Sequence, residues 1–413
     1  MSILIAAICM TGSVRAQDFQ IGGDEQTETS VPLEFRPSLG LFVLGYVNGR
    51  RPYRFSISLV THTSLTPAVV MDAGLATRDR GVTRDGDTNG FEQNRQLTDA
   101  TLRLGDRQIS LNGGYVFPDD DIAAHTPVRN YGGILGVEIF REGMVSVDLS
   151  HDRLVLSPHT DIVPAPNAIE LSLAQNATGA ELDRLPAVTL SLGGQSSRFR
   201  MAFFTNSVSF QQDSRLGQDL LDKSPHRITF RDWTPNGIVR SQSGTAVSLR
   251  IGDQQARGSV GISRYLDTPP IPIKTSPRRL LSARESSADG VVGLRVLGAF
   301  DINIDNSAGK MWLTPRDKKP LFCSSVSQGN LHGTTGFTPW IYKGQGMVRE
   351  VAEGSPAEAA GIEPGDQIIS IDDADVPAYY DHLDATCLAP ALVKVVFHNA
   401  SGDHSVVLTP AVP

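Results

Sequence analysis

Short runs that alternate apolar and polar residues dominate the first three quarters of the chain. L-F-V-L-G-Y-V at 41–47, M-V-S-V-D-L at 144–149 and R-L-V-L-S at 153–157 are typical. A period of two turns one side of each run toward a core, so these runs predict strands. Clusters of Gly, Asn and Asp separate them, and Asn48-Gly49 predicts a tight turn between two of them. One helix stands out in each half, Thr66 to Leu75 and Ser214 to Leu221. The stretch D-T-P-P-I-P-I-K-T-S-P at 267–277 is too rich in proline for a central strand and reads as a surface loop.

The chain also contains itself twice. Residues 134–158, ILGVEIFREGMVSVDLSHDRLVLSP, align without a gap on residues 291–315, VVGLRVLGAFDINIDNSAGKMWLTP. Gly136 falls on Gly293, Asp148 on Asp305 and Pro158 on Pro315, each 157 residues later. Upstream, LRLGDRQIS at 102–110 matches LRIGDQQAR at 249–257, and Arg54-Phe55 matches Arg198-Phe199. The blocks keep the same order in both copies. Two homologous lobes follow, 36–160 and 184–316.

Composition narrows the function. The chain has 413 residues, 40% of them hydrophobic, enough for several domains with real cores. Its net charge of -8 gives no electrostatic reason to bind nucleic acid. No segment reaches the roughly 18 apolar residues of a membrane span. Residues 1–17 combine a short apolar core with V-R-A ending at Ala16, the pattern of a cleaved signal peptide. That predicts a periplasmic or secreted protein; the other reading is a misassigned start. Removal of Cys9 would leave Cys323 and Cys387, either one disulfide or two buried thiols. The nine histidines show no H-E-x-x-H and no zinc spacing with cysteine, so no metal or cofactor is expected.

The paired block G-I-L-G-x-x-x-F…V-x-V-D…R-L-V-L resembles the closing segment of pepsin- and retropepsin-like aspartic protease lobes. Asp148, Asp305 and Asp289-Gly290 belong to the same pattern. The resemblance covers roughly 36–316 and implies a mainly β fold, with two β-barrel-like lobes facing each other across a cleft. The family's chemistry takes one aspartate from each lobe, in an Asp-Thr/Ser-Gly turn. Two close carboxylates share a proton, one acting as base on water while the other donates to the carbonyl. Those turns should follow the Arg-Phe pairs, where this chain has Ser58-Leu59-Val60 and Ala202-Phe203-Phe204. Both aspartate positions are thus replaced, by Ser58 and Ala202, and bulky residues stand where the turn needs small ones. Asp87-Thr88-Asn89-Gly90 comes too late in the lobe and reads as a polar loop. Asp119-Asp120-Asp121 reads as a solvated turn. His62 follows Ser58 by four residues, but no acid partner for a Ser-His pair can be named.

The tail differs. V-R-E-V-A-E-G-S-P-A-E-A-A-G-I-E-P-G-D-Q-I-I-S-I-D-D-A-D-V at 348–376 strongly resembles bacterial PDZ domains, and predicts such a domain over 334–411. Ser355 caps a short helix that opens with Pro356 and ends at Gly361. Tyr379 to Leu388 reads as the second helix, followed by strands at 392–397 and 405–408. Asp373 stands in a turn where many relatives carry Gly. PDZ domains bind by strand addition and carboxylate capture. The resemblance implies a groove from Gly336, Phe337 and Thr338, with Tyr380 and Leu383 on the helix. A bond between Cys323 and Cys387 would clip the connector to that helix.

Three functions are open. The first is a catalytically inactive aspartic-protease-like protein that binds peptides or protein partners through the inter-lobe cleft or the PDZ groove. The alternative is an active aspartic-type endopeptidase with PDZ-assisted substrate recognition, which requires acids from elsewhere. The third is a scaffold without a peptide ligand.

Overall fold

A computed structural model describes residues 28–59, 63–84, 91–118, 124–136, 139, 143–157, 164–172, 187–192, 195–201, 203, 208–210, 214–224, 227–235, 237–246, 249–251, 254–256, 260–267, 290–305, 308–316, 335–386 and 392–410. The acids at 87 and 119–121, His62, Ala202, Asp289, Cys9, Cys323, Cys387 and most of the proline-rich stretch lie outside them.

The first lobe consists of β1 (Thr29–Arg36), β2 (Gly40–Val47), β3 (Pro52–Ile57), β4 (Ser64–Leu65), α1 (Pro67–Asp72), β5 (Thr77–Arg84), β6 (Phe91–Leu97), β7 (Thr101–Leu104), β8 (Arg107–Ser110), β9 (Tyr115–Val116), β10 (Tyr131–Leu135), β11 (Met144–Asp148) and β12 (Arg153–Ser157). The second repeats the plan with β13 (Ile169–Ser172), β14 (Ala187–Leu192), β15 (Gln195–Met201), β16 (Val208–Phe210), α2 (Arg215–Asp222), β17 (Ile228–Thr234), β18 (Gly237–Ala246), β19 (Leu249–Ile251), β20 (Gln254–Ala256), β21 (Val260–Asp267), β22 (Gly290–Val292), α3 (Leu294–Leu297), β23 (Phe300–Asp305) and β24 (Lys310–Pro315). The C-terminal domain holds β25 (Phe337–Tyr342), β26 (Gln345–Ala352), α4 (Pro356–Ala359), β27 (Gln367–Ile371), α5 (Val376–Thr386), β28 (Val393–Asn399) and β29 (Gly402–Leu408).

Three of the helices start where the sequence places them. The Thr66, Ser214 and Ser355 side chains accept from the backbone N–H three residues on, each satisfying an otherwise orphaned donor. α1 stops earlier than predicted because Gly74 takes a φ of +63°, which breaks the helical path. α5 starts earlier than predicted because Asp375 accepts from the Ala378 N–H at 2.7 Å and caps it. Asn48 and Gly49 both have positive φ and make the predicted tight turn.

The sequence repeat becomes a spatial two-fold. Strands run in the order β13-β24-β23-β11-β12-β1, three from each lobe. β11 and β23 pair antiparallel with Ser146 opposite Asn303, the residue 157 positions later. Val145 faces Ile304, the equivalent of Val147, and Val147 faces Ile302, the equivalent of Val145, so the two pairs are images of each other. This register puts the pseudo-two-fold axis between Ser146 and Asn303. β1 and β13 lie upstream of the predicted lobe boundaries at 36 and 184, and they complete the two outer edges of this sheet. One buried hydrophobic cluster runs through both lobes, from Val31 to Leu313. The C-terminal domain has its own, built on Phe337, Val348, Ile371, Tyr380, Leu383 and Phe397.

Asp148 and Asp305 do the same job in each copy. Each is buried, and each accepts from the backbone N–H three residues on, His151 or Ala308, to tie the hairpin turn. Burial alone would raise the Asp148 carboxyl. Hydrogen bonds from Arg153 and His151 outweigh that and hold it below the usual carboxylate value. Asp148→Asn should therefore cost about 1–2 kcal/mol at pH 7 in urea unfolding. A depressed pKa contributes above the unfolded value, so this deficit should close as pH falls below about 4.

Candidate functional site

In each lobe one strand threads between two others. β10 lies parallel to β3 and antiparallel to β4. β22 lies parallel to β15 and antiparallel to β16. The approach is close: a Cβ on Gly133 would stand 2.1 Å from the Ser64 carbonyl oxygen, and its φ is +135°. The segments joining β3 to β4 and β15 to β16 hold Ser58 and Ala202, the half-site positions at which the resemblance would place an acid.

The first half-site turns inward. Ser58 has no exposed surface, and its N–H donates to the Leu135 carbonyl at 2.9 Å. Leu59 is buried beside it. Thr63 closes the segment with its hydroxyl oxygen 2.9 Å from the Gly136 N–H that it accepts from. In the second half-site Phe203 is fully buried, and its carbonyl accepts from the Leu41 N–H of the first lobe at 3.1 Å. The chain thus joins its lobes at this level through backbone and apolar surface. The buried aspartates of the described residues stand elsewhere: Asp148 and Asp305 in hairpin turns, Asp366 in the turn before β27, and Asp232 in the contact with the C-terminal domain.

The predicted groove residues of the C-terminal domain come together, and most are buried. Gly336 has a φ of +86°, and a Cβ there would lie 2.0 Å from that of Ser355. Its carbonyl accepts from Ala352 N–H, while that of Thr335 accepts from Ala357 N–H, which fixes the segment to the start of α4. Phe337, Tyr380 and Leu383 pack into one core. Thr338 donates to the Glu350 carboxylate at 3.0 Å. Tyr380 reaches from α5 to β25, where its buried hydroxyl donates to the Pro339 carbonyl at 2.9 Å. Burial, more than neighbouring Tyr379, drives its pKa far above the usual phenol value, so it stays a donor.

Among the described residues β25 pairs with no strand other than β26. Pro339 limits further pairing there, because proline lacks an N–H and its carbonyl already serves Tyr380.

The sequence did not reveal how the C-terminal domain is fixed. It is held by both lobes. β17 of the second lobe pairs antiparallel with β26, Phe230 facing Ala352 and Asp232 facing Glu350. From the first lobe, buried Arg36 donates to Asp384 at 2.9 Å and to Asp381 at 2.7 Å on α5. Burial raises the Asp384 carboxyl, and Arg36 pulls against it. Arg129 reaches Asp375 at 3.2 Å, in the open. The three bodies meet at Tyr342, whose ring packs edge-on against His125 of the first lobe and Trp233 of the second. Only the spacing of Asp381 and Asp384, on one face of a helix, hints at this in the sequence.

Residues 347–387 match the family model of the PDZ domain. Comparison with curated proteins returns no match. Among solved structures, the chain is similar to basic 7S globulin from soybean at 10% identity, over 70% of this chain and 95% of that one, with a TM-score of 0.40. It is similar to edgp at 10% identity, over 71% of this chain and 96% of that one, with a TM-score of 0.38. The chain carries a C-terminal PDZ domain on a mainly β body of two repeated lobes.

Proposed function

We propose that this protein is a catalytically inert aspartic-protease-like protein that binds peptides or protein partners through its PDZ domain. The observation that carries the first half is Ser58. It stands fully buried beside Leu59 where an acid would have to face water. A serine hydroxyl cannot share a proton with a partner carboxylate near neutral pH. The PDZ match and the lack of a second strand partner for β25 among the described residues support the second half. Pro339 and Tyr380 favour a short contact at the Gly336–Thr338 end of that strand, suited to the last residues of a chain. In the same reading the protein works in the periplasm or outside the cell, after loss of residues 1–17. A mature protein that still begins at Met1 would count against export.

The test uses the purified full chain with casein and a library of free C-terminal peptides. Binding without any cleavage product from pH 3 to 8 is expected, with Leu383→Lys abolishing it. Pepstatin-sensitive cleavage would overturn the inert reading. Peptide binding that survives Leu383→Lys in a folded protein would overturn the PDZ groove.

A further inference from the structure

The contact between the second lobe and the PDZ domain sets two acids against each other. Asp232 of β17 lies directly opposite Glu350 of β26. Directly opposed residues on antiparallel strands share a face, with Cβ atoms roughly 5 Å apart, and like charges there repel. Water cannot screen this pair well, because Asp232 is only 2% exposed. Its Oδ1 accepts no hydrogen bond among the described residues.

The charges around Asp232 can be named strand by strand. From β26 come Glu350 and Arg349, whose Nε lies 3.6 Å from Asp232 Oδ1. A bulge explains Arg349: Thr338 faces Glu350 while Pro339 faces Val348, so Arg349 is the extra residue and escapes strict alternation. Its guanidinium also lies 4.9 Å from the centre of the Trp340 ring. β25 adds the Thr338 hydroxyl, which donates to Glu350. On β17 itself, Arg231 turns away to Glu358 at 3.2 Å and Glu363 at 3.8 Å. β18 places Val239 opposite Asp232, and its next residue, Arg240, pairs with Glu353 at 3.4 Å. The cation facing Asp232 is Arg349, and it faces a site with two acids.

We propose that Asp232, facing Glu350, takes up a proton when the PDZ domain is docked, forming a pH-sensitive latch on the second lobe. Burial first, and the Glu350 charge second, push Asp232 up to about 7, against the pull of Arg349. Undocking returns both acids to water and to ordinary carboxylate behaviour. The docked state then binds a proton that the undocked state releases. Docking is strongest below the free carboxylate value of about 4 and weakens as pH rises toward the docked value. Above that value it levels off at its weakest.

The test measures lobe-to-PDZ distance in the full chain by energy transfer, with dyes on noncanonical residues at exposed Lys223 and Val407. The docking constant should fall at least tenfold between pH 5 and pH 8, since one linked proton gives up to tenfold per pH unit. Asp232→Asn should dock as well as the parent at pH 5 and fall far less than the parent by pH 8, the remainder coming from Asp384. Glu350→Gln should flatten the dependence as well. Should docking prove too tight to open, the thermal midpoint serves: Asp232→Asn should gain on the parent as pH rises from 5 to 8. Parent and Asp232→Asn changing in parallel with pH, in both readouts, would overturn the latch.

Discussion

Introducing an acid at each half-site, Ser58→Asp with Ala202→Asp, should yield no peptide hydrolysis between pH 3 and 8. It should also destabilise the protein by about 3–5 kcal/mol, the scale of an uncompensated buried charge. The reason lies around Ser58 rather than in the missing atoms alone. Ser58 is fully buried, and Ile57, Leu59 and Leu135 near it belong to the continuous core. A carboxylate placed there meets apolar packing and must either force the segment outward or remain protonated. In the second half-site Phe203 is buried with its carbonyl engaged by Leu41, so an acid beside it would adjoin apolar packing as well. Urea unfolding gives the cost, and a fluorogenic peptide pool gives the activity. Strong pepstatin-sensitive activity from the double variant would show that the turn geometry survives, and that only the acids were lost.

Arg36→Ala should cost about 3–5 kcal/mol, because it leaves the largely buried Asp384 carboxylate without its cation, with the Ser38 N–H still in place. Arg36 is 7% exposed in its side chain and Asp384 is 10% exposed, so solvent cannot replace the lost contacts. Asp384 already has a raised pKa from burial, and Arg36 is the main force opposing that rise. Without Arg36 it rises further. Protonation then relieves part of the damage at low pH, so the loss should be larger at pH 8 than at pH 5. Thermal unfolding of the full chain at both values checks this. Arg129→Ala provides the contrast. Arg129 and Asp375 are both more than half exposed, and such pairs contribute about 0–1 kcal/mol. A loss from Arg36→Ala no larger than that from Arg129→Ala would show that the buried network does not hold the PDZ domain.

Much of the fold was legible because its signals are local or repeated. Alternation marked the strands, and Thr66, Ser214 and Ser355 marked the helix starts. The constant offset of 157 residues between Gly136 and Gly293, and between Asp148 and Asp305, announced two lobes. It even contains the register of the central sheet, although the pairing of Ser146 with Asn303 appears only when the lobes are brought together. The absence of an acid at Ser58 and Ala202 was equally plain, since a missing residue type is a property of sequence alone.

The docking of the PDZ domain was not legible, for a physical reason. It depends on pairs with no sequence relation: Arg36 with Asp384, Asp232 with Glu350, and Trp233 and His125 with Tyr342. Charged and aromatic residues at such positions look like ordinary surface until a partner surface arrives. The groove residues show the other limit. Gly336, Phe337, Thr338, Tyr380 and Leu383 were placed together by resemblance, but local pattern cannot tell a groove wall from a core. Sequence by itself determined the two lobes and the PDZ domain, because periodicity, capping and residue identity act over a few positions. Tertiary structure alone decided the burial of Ser58, the Tyr380 bridge to Pro339 and the facing acids of the seam. Burial and charge proximity are properties of the surfaces that folding brings together.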